Sequence, residues 1–516
     1  MGLSRYAALI APFTLLSALF LAGCSAHAED CNLMSTCPPG EAASGGSMPD
    51  PGTNALCLPS QANGPVGDTC GIFVSSNGKD SNAGTKGNPV ATLGQALTLA
   101  KAGLKPIYVC AEAFSEAIEI SSGTTLYGGL DCSAGWLWTE SGRTTLTAAP
   151  DLIPMKLTSG AGLTRIEGFS VIAADALQPG GSSIALIADN VPAEIVRSEL
   201  SSSSGRDGSD GLTDLSFVPQ KGANGTKGSD ACVNPQMVMG GQGATTVCDN
   251  GTSQGGNGGQ GGITGVNGGI GKPGSNGLPE GDGGGLGGKE QVDTNVACTP
   301  GADGKDGEPG APGAGGTVLG TISISGIVGA DGQSGGFGKP GQGGGGGGSS
   351  KSGPYCSNQM DGPGASGGGA GSGGCGGKGG GGGQAGGSSI ALISLNATLK
   401  LSNVTLTSGA GGKGGAGALA LAGGQGGAGA LGGNKWFSPS KPGCDGGSGG
   451  YGGDGGGGGG GRGGHSIGIA YSGARPDTTG LLITAGAPGQ GGAGAMFNPT
   501  GGGDWGVSST GPIEFP

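Results

Sequence analysis

The chain has 516 residues, 133 of them glycine, with 4% aromatic and 12% charged side chains, so neither a conventional large core nor a heavily charged coil fits it. Its 24 basic residues are scattered against 36 acidic ones, giving a formal charge of −12 and excluding the basic footprint that a nucleic-acid backbone demands. Beyond residue 23 no apolar stretch reaches the length of a membrane span.

Residues 1–23 place one basic residue, Arg5, ahead of an apolar run that ends in small residues, the design of a secretory signal. The span Leu21-Ala22-Gly23-Cys24 resembles the bacterial lipobox, which implies cleavage before Cys24 and lipidation of that residue. Several acyl chains on one residue give stable anchoring where a single chain is marginal. Ser25 follows, which resembles the pattern for export to the outer membrane. The expected location is therefore exported and lipid-anchored, at the outer membrane or cell surface.

Removing Cys24 from the thirteen cysteines leaves twelve, an even number suited to disulfides in an oxidising compartment. Cys31, Cys37, Cys57 and Cys70 are expected to staple the amino-terminal segment, and Cys232 with Cys248 to form a local clip. With only His27 and His465 in the chain, a Cys/His zinc cluster is disfavoured.

Residues 24–70 read as a cysteine-containing tether, rich in Pro, Gly, Ser and Asn and without periodicity. Residues 71–204 read as an N-terminal cap followed by β-coils. A strand is expected at Ile72–Ser75, and a helix from Thr92 to Lys101 with Leu93, Ala96, Leu97 and Ala100 on one face, Thr92 as its cap and Gly103 beyond its end. Short strands are expected at Ile107–Cys110, Ala117–Ile120, Thr124–Tyr127, Thr144–Thr147, Met155–Thr158, Thr164–Ile172, Ser183–Ala188 and Ala193–Leu200. Strands this short, with no helices between them, favour an all-β fold: a right-handed parallel β-helix with a short N-terminal cap helix and long glycine-rich insertions. The rival is a β-sandwich.

Phe73-Val74-Ser75, the loop Asn77-Gly78-Lys79-Asp80-Ser81-Asn82 with Gly84-Thr85, and Asn88-Pro89 with Ala91-Thr92-Leu93 through Ala96-Leu97 together resemble the opening of the DUF1565 and pectate-lyase-like β-helix family. The resemblance is close over about thirty residues and looser to about residue 204, and it implies a pectin-lyase-like solenoid. The whole chain also resembles glycine-rich, PGRS-type surface lipoproteins of myxobacteria, a likeness of composition that implies no mechanism. No cofactor is expected. Asp80 is a calcium candidate, but one carboxylate in a short loop is a poor hard-cation site.

Further on, Ser183-Ile184-Ala185-Leu186-Ile187 is echoed by Ser389-Ile390-Ala391-Leu392-Ile393 and by Ser466-Ile467-Gly468-Ile469. From each Ile to the next glycine break the separations are 21 (184 to 205), 19 (390 to 409) and 19 (467 to 486) residues, about one coil each. The expected organisation is one interrupted β-helix, with coils at 388–408 and 465–485 and a strand segment at 317–328. Glycine-rich insertions fill 205–316, 329–387 and 409–464, and a glycine-rich C-terminal segment spans 486–516. An independent glycine-rich region after an N-terminal β-helix is the alternative.

Two readings of the insertions stand side by side: extended left-handed glycine helices bonded laterally through their backbones, or solvated linker. Gly301 to Gly313 carries four collagen-style triplets, too few for a triple helix. Tyr355, Trp436, Tyr451, Phe497 and Trp505 are isolated aromatics suited to pinning loop tips or meeting a sugar face. Asp131, Arg143, Asp151 and Lys156 have no common register, so no catalytic residues are assigned. Gly304-Lys305-Asp306 and Gly452-Gly453-Asp454 are only fragments of phosphate or calcium loops. The expected function is a non-catalytic envelope lipoprotein, structural or adhesive, attached to the membrane through its N-terminal lipid and contacting polysaccharide or extracellular matrix. The alternatives are a carbohydrate-binding β-helix module and a polysaccharide lyase or hydrolase.

Overall fold

A computed structural model describes residues 57–516 apart from 63, 104, 234–237, 282, 355 and 497. The signal segment, Cys24, Cys31, Cys37 and most of the tether lie outside the described residues. Among the described residues no helix is long and apolar enough to cross a membrane.

In chain order, β1 (Ile72–Val74) and α1 (Leu93–Lys101) come first. Then follow β2 (Ile107–Cys110), β3 (Ala113–Ser115), β4 (Ile118–Ser121), β5 (Thr125–Asp131), β6 (Leu137–Trp138), β7 (Thr144–Thr147) and β8 (Met155–Thr158). The run continues with β9 (Thr164–Glu167), β10 (Phe169–Ala173), β11 (Ser183–Asp189), β12 (Pro192–Val196) and β13 (Glu199–Ser202). Two hairpins lie within the glycine-rich sequence, β14 (Thr245–Cys248) with β15 (Gly251–Gln254), and β16 (Thr321–Ser323) with β17 (Gly326–Val328). The last strands are β18 (Ser389–Leu395), β19 (Thr398–Ser402), β20 (Thr405–Ser408), β21 (Ser466–Ser472), β22 (Leu482–Ala485), β23 (Ser508–Ser509) and β24 (Ile513–Glu514).

The protein is all-β, built on three parallel sheets ordered β1-β2-β5-β9-β12-β19, β22-β20-β13-β10-β7-β3 and β23-β21-β18-β11-β8-β4. From β7 to β13 the chain visits the second, third and first sheets in rotation, so each strand pairs with the one laid down a full cycle earlier. Corners between sheets recur at fixed places. Asn190, Asn396 and Gly473 (φ 47°, 46° and 87°) follow the third-sheet strands; Gly168, Arg197 and Asn403 (φ 78°, 48° and 52°) follow the first-sheet strands. Asn and Gly tolerate this left-handed region, and the bend redirects the chain without a helix. These corners split two expected strands, Thr164–Ile172 at Gly168 and Ala193–Leu200 at Arg197. Small aliphatic side chains such as Leu126, Ile166, Ile195, Leu146, Val171 and Leu200 fill the shared core, which is why so few aromatics suffice.

Helix α1 covers one end of that core with Leu93, Ala96 and Ala100. Nine residues are too few for a stable isolated helix. Its free N–H groups are satisfied by the Thr92 hydroxyl, which accepts from Gln95 N, and by Glu116, whose carboxylate accepts from Leu93 N and Gly94 N.

The glycine-rich sequence is not solvated linker. Successive segments lie side by side and exchange backbone hydrogen bonds every third residue: Gly332, Gly335, Gly338, Gly341 and Gly344 donate to the carbonyls of Gly383, Gly380, Gly377, Gly374 and Gly371. A repeat of three, without internal bonds, is that of a polyproline II helix. In keeping with it, no described glycine of 329–387 or 409–464 has a positive φ. Consecutive residues donate to different neighbours, as Ser366, Gly367 and Gly368 do to Ser229 O, Gly259 O and Cys444 O. The same stretch accepts from three further segments through Gly347 N to Gly368 O, Ala430 N to Gly369 O and Gly241 N to Gly367 O.

This geometry gives the glycine patterns their meaning. A three-fold helix points side chains in three directions, so a segment surrounded on all sides admits almost only glycine. Residues 343–348, all glycine, are buried throughout. An outer segment needs glycine only on its inner row: in Gly301 to Gly310 the glycines are half-buried, the two residues between them are exposed, and the glycines donate to Asp445, Ser448, Tyr451 and Asp454 carbonyls. The collagen-style triplets thus form the outer edge of a backbone-bonded array. The third residues of the first two triplets cap it, since Asp303 and Asp306 accept from Ser448 N and Tyr451 N, as Asp207 and Asp210 do from Lys413 N and Ala416 N. Where a triplet ends in aspartate, its carboxylate replaces the missing next neighbour.

The array is continuous with the sheets. The parallel neighbours β13 and β20 lead into segments still joined by Gly205 N to Ala410 O and Gly208 N to Lys413 O, and β20 and β22 by Gly411 N to Ala487 O and Gly414 N to Gln490 O. Two expectations are corrected. Residues 317–328 add no strand to the parallel sheets, because β16 pairs antiparallel with β17. Ile322 and Ile327 of this hairpin cover the second apolar side of β11, β18 and β21 at Ile184, Ile390 and Ile467. Cys232 and Cys248 form no local clip: the bridges are Cys232–Cys356, Cys248–Cys375 and Cys298–Cys444, alongside Cys57–Cys70 and Cys110–Cys132. The array's bonds join distant segments as well as successive ones, as Ser366 N to Ser229 O and Gly301 N to Asp445 O show, and the long bridges link segments of this kind.

His465 sits buried where the array meets β21. Its Nδ1 accepts from Val507 N and its Nε2 faces Leu319 O at 2.9 Å, so the neutral ring bridges two segments by accepting and donating. Burial holds its pKa below the ordinary imidazole value and the Arg462 charge adds to this, while the Leu319 carbonyl works the other way. The unfolded chain therefore takes up this proton first, and stability falls as pH drops below about 6.5, by at most about 1.4 kcal/mol per pH unit for one proton. Urea unfolding between pH 7.5 and 5.5 should show this slope, and His465→Gln should flatten it.

Candidate functional site

One level of the array collects its free ends. Gly348 N reaches Thr299 O, Cys444 N reaches Gly348 O, Ser350 N reaches Ala365 O, Gly262 N reaches Ser350 O, and Gln291 N reaches Ser349 O. Ser366 N reaches Ser229 O and Gly433 N reaches Ser366 O within the same turn. The array segments that flank the loops 232–238, 263–269, 290–298, 351–363 and 434–443 therefore all end at this one level.

Covalent and polar bonds hold these loops. Cys232–Cys356 joins the first to the fourth, and Cys298–Cys444 ties the third to the end of the fifth. Gln291 is buried; its amide donates to Asp293 O and Thr294 O, and its carbonyl oxygen accepts from Lys351 N. On this frame large apolar side chains face outward: Val233, Val266, Val292 and Val296, with Met360 60%, Phe437 62% and Trp436 49% exposed. The Trp436 and Phe437 rings meet edge-on at 6.1 Å. Lys351, Lys435 and Lys441 are balanced by Glu290, Asp293 and Asp361, so the surface is nearly neutral. Loops on a rigid scaffold, exposing apolar groups that the scaffold itself has no need to expose, have the make-up of a contact surface.

Of the sequence-predicted aromatics, Trp436 belongs to this end and Tyr355 and Phe497 lie outside the described residues. Tyr451 flanks the array beside Gly307, and Trp505 lies at the opposite end, next to Asp504, whose carbonyl accepts from Gly463 N. Residues 443–464 alone span about 65 Å at the polyproline II rise, so Trp436 and Trp505 form no common platform.

The remaining polar candidates have local roles. Asp80 accepts from Ala91 N, Thr92 N and the Thr92 hydroxyl, leaving it to lock the entry to α1. Asp131 accepts from Ser133 and Ala134 in a tight turn; the Ser133 hydroxyl and backbone donors hold its carboxyl below the usual range. Arg143 donates to Glu140 O and Gly142 O, and Asp151 accepts from Leu177 N and Gln178 N. Lys156 lies on β8 opposite Glu119 of β4. These four do not converge. Asp306 and Asp454 cap Tyr451 N and Gly423 N. Among the described residues no group of three or more His, Cys, Asp or Glu is placed to hold a metal.

One charged ladder was missed in the sequence. Arg165, Glu194 and Lys400 stand in register across β9, β12 and β19, with Arg165 bonded to Glu194 and Glu167 at 2.8 Å and Lys400 to Glu194 at 3.1 Å. The Lys400 bond foremost holds the Glu194 carboxyl below its usual range. Arg197 joins the ladder's end, lying over Trp138 at 4.7 Å and donating to the carbonyls of Thr139, Glu140 and Gly142. The signal was the outward position of strands such as Thr164–Glu167, which only the register aligns.

Comparison with protein-family models, curated proteins and solved structures finds no match for this chain.

Proposed function

We propose that the chain is a non-catalytic envelope protein that holds an adhesive loop surface away from the membrane. In this reading the three sheets close as a right-handed parallel β-helix of the pectin-lyase-like kind, Cys24 carries the lipid anchor at the outer membrane or cell surface, and the glycine array is a rigid spacer. The observation that carries it is the convergence of five loops on one end of the array, cross-tied by two disulfides and exposing Met360, Trp436 and Phe437. Flexible glycine linker would not fix such a surface; backbone bonds at every third residue do.

The test uses cells carrying the full chain. The triple variant Met360→Ser, Trp436→Ser, Phe437→Ser is expected to reduce adhesion to extracellular matrix at least tenfold while surface amount and unfolding midpoint hold. Unchanged adhesion sinks the reading. A second reading, carbohydrate binding, is favoured by the exposed Trp436 and Phe437 rings, whose faces suit sugar stacking. Glycan-array binding that disappears with Trp436→Ser, without product formation, would select it.

A further inference from the structure

Each of the three sheets has a first strand, and they are not equally protected. In the first sheet, β1 is bridged on its outer side by Val90. Among the described residues β4 is terminal in the third sheet, pairing only with β8. Ile118 N and Ser122 N donate to Pro154 O and Thr158 O on the β8 side. The alternation of a strand turns the N–H and C=O of Glu119, between them, to the open side.

Helix α1 covers the apolar core but leaves a groove of about 520 Å³ beside this edge, lined by Leu97, Thr98, Lys101, Lys105, Glu119 and Ser121. One end is closed by the turn after β4, where the Thr124 hydroxyl takes Ser121 O and Gly123 (φ 87°) lies so near Ala161 O that a Cβ would stand 2.3 Å from it. Among the described residues none of Lys101, Lys105 and Glu119 makes an ion pair, so two positive charges stand against one negative charge in the groove lining. The charge left to be matched in the groove is positive.

We propose that this groove binds an extended acidic peptide segment, which adds to β4 as an extra strand and places its carboxylates at Lys101 and Lys105. The peptide backbone meets the open N–H and C=O of Glu119, the mode by which sheet edges capture extended chains, and Leu97 supplies an apolar wall. This site is separate from the loop surface at the far end of the array and does not depend on it.

The probe is a blocked octapeptide of alternating valine and glutamate, compared with its valine and lysine counterpart, on the full chain by hydrogen–deuterium exchange. The glutamate peptide is expected to slow exchange over residues 117–122 at concentrations at least tenfold below those the lysine peptide needs. Glu119→Pro removes an N–H that β8 does not use, so it should abolish this protection with the unfolding midpoint unchanged. Lys101→Glu with Lys105→Glu should reverse the peptide preference, and this arm decides alone if the proline variant does not fold. Equal protection by both peptides, protection elsewhere, or protection that rises with protein concentration without peptide, as for pairing with a second copy, overturns the proposal.

Discussion

Gly382→Ala is expected to cost about 3 kcal/mol of stability, the upper end of what overpacking usually costs, although its backbone conformation suits alanine. The cost is one of space. A Cβ at residue 382 would stand 1.9 Å from Gly332 O and 2.5 Å from Gly332 C, backbone atoms of a neighbour that donates from Gly332 N to Gly383 O. Relief requires the two segments to part, and that neighbour is itself bonded onward, with Gln333 N donating to Ala314 O. Strain is then shared across several rungs. Close packing inside proteins leaves no slack to absorb it.

Gly502→Ala is the control. Its Cβ would meet nothing nearer than Gly492 O at 3.7 Å, and its φ is not positive. It should lie within about 0.5 kcal/mol of the parent, or slightly above it through a stiffer unfolded chain. Equal effects at the two positions, measured by urea unfolding, would mean that glycine serves these tracts for flexibility and that the lateral bonds do not govern stability.

The same contrast explains what could be read in advance. Runs such as Ser183 to Ala188 declare themselves as strands because small β-branched residues recur in them. The corner at Arg197 does not, because what holds a left-handed arginine is the 139–142 turn and Trp138, more than fifty residues upstream. The period of the glycine tracts is visible, but a backbone bond between two glycines leaves no side-chain mark of its partner, so which segment lies against which could not be deduced. Only the edges are written in side chains, in triplets such as Gly205-Arg206-Asp207, where the aspartate has a carboxylate to spare for the next backbone. The loop surface shows the same limit. Trp436 stood out in a sequence poor in aromatics, whereas Val233, Val266 and Val292 gained meaning only when the array brought their loops to one end.

Loss of the array's disulfides is the second large effect expected. Cys298–Cys444 closes a stretch of 146 residues, Cys248–Cys375 one of 127 and Cys232–Cys356 one of 124, whereas Cys57–Cys70 closes only 13. On the chain-entropy account a long closure contributes roughly 5 kcal/mol and the short one roughly 3. Measured values run lower than this account, so Cys298→Ala with Cys444→Ala is expected to cost about 3–5 kcal/mol. Glycine sharpens the need for such ties. It loses more backbone freedom on ordering than any other residue and buries little apolar surface in return, so cross-links that restrict the unfolded chain offset what the core cannot. The three long bridges overlap in sequence, so their effects will not add, and the first removed should matter most. Cys57→Ala with Cys70→Ala should leave exchange protection in residues 343–348 intact, while the 298/444 pair lowers it there, where Gly348 N meets Thr299 O and Cys444 N meets Gly348 O. If the long pair can be removed with no more loss than the short one, lateral backbone bonding alone holds the array, and the disulfides serve only to fix the loops at its end.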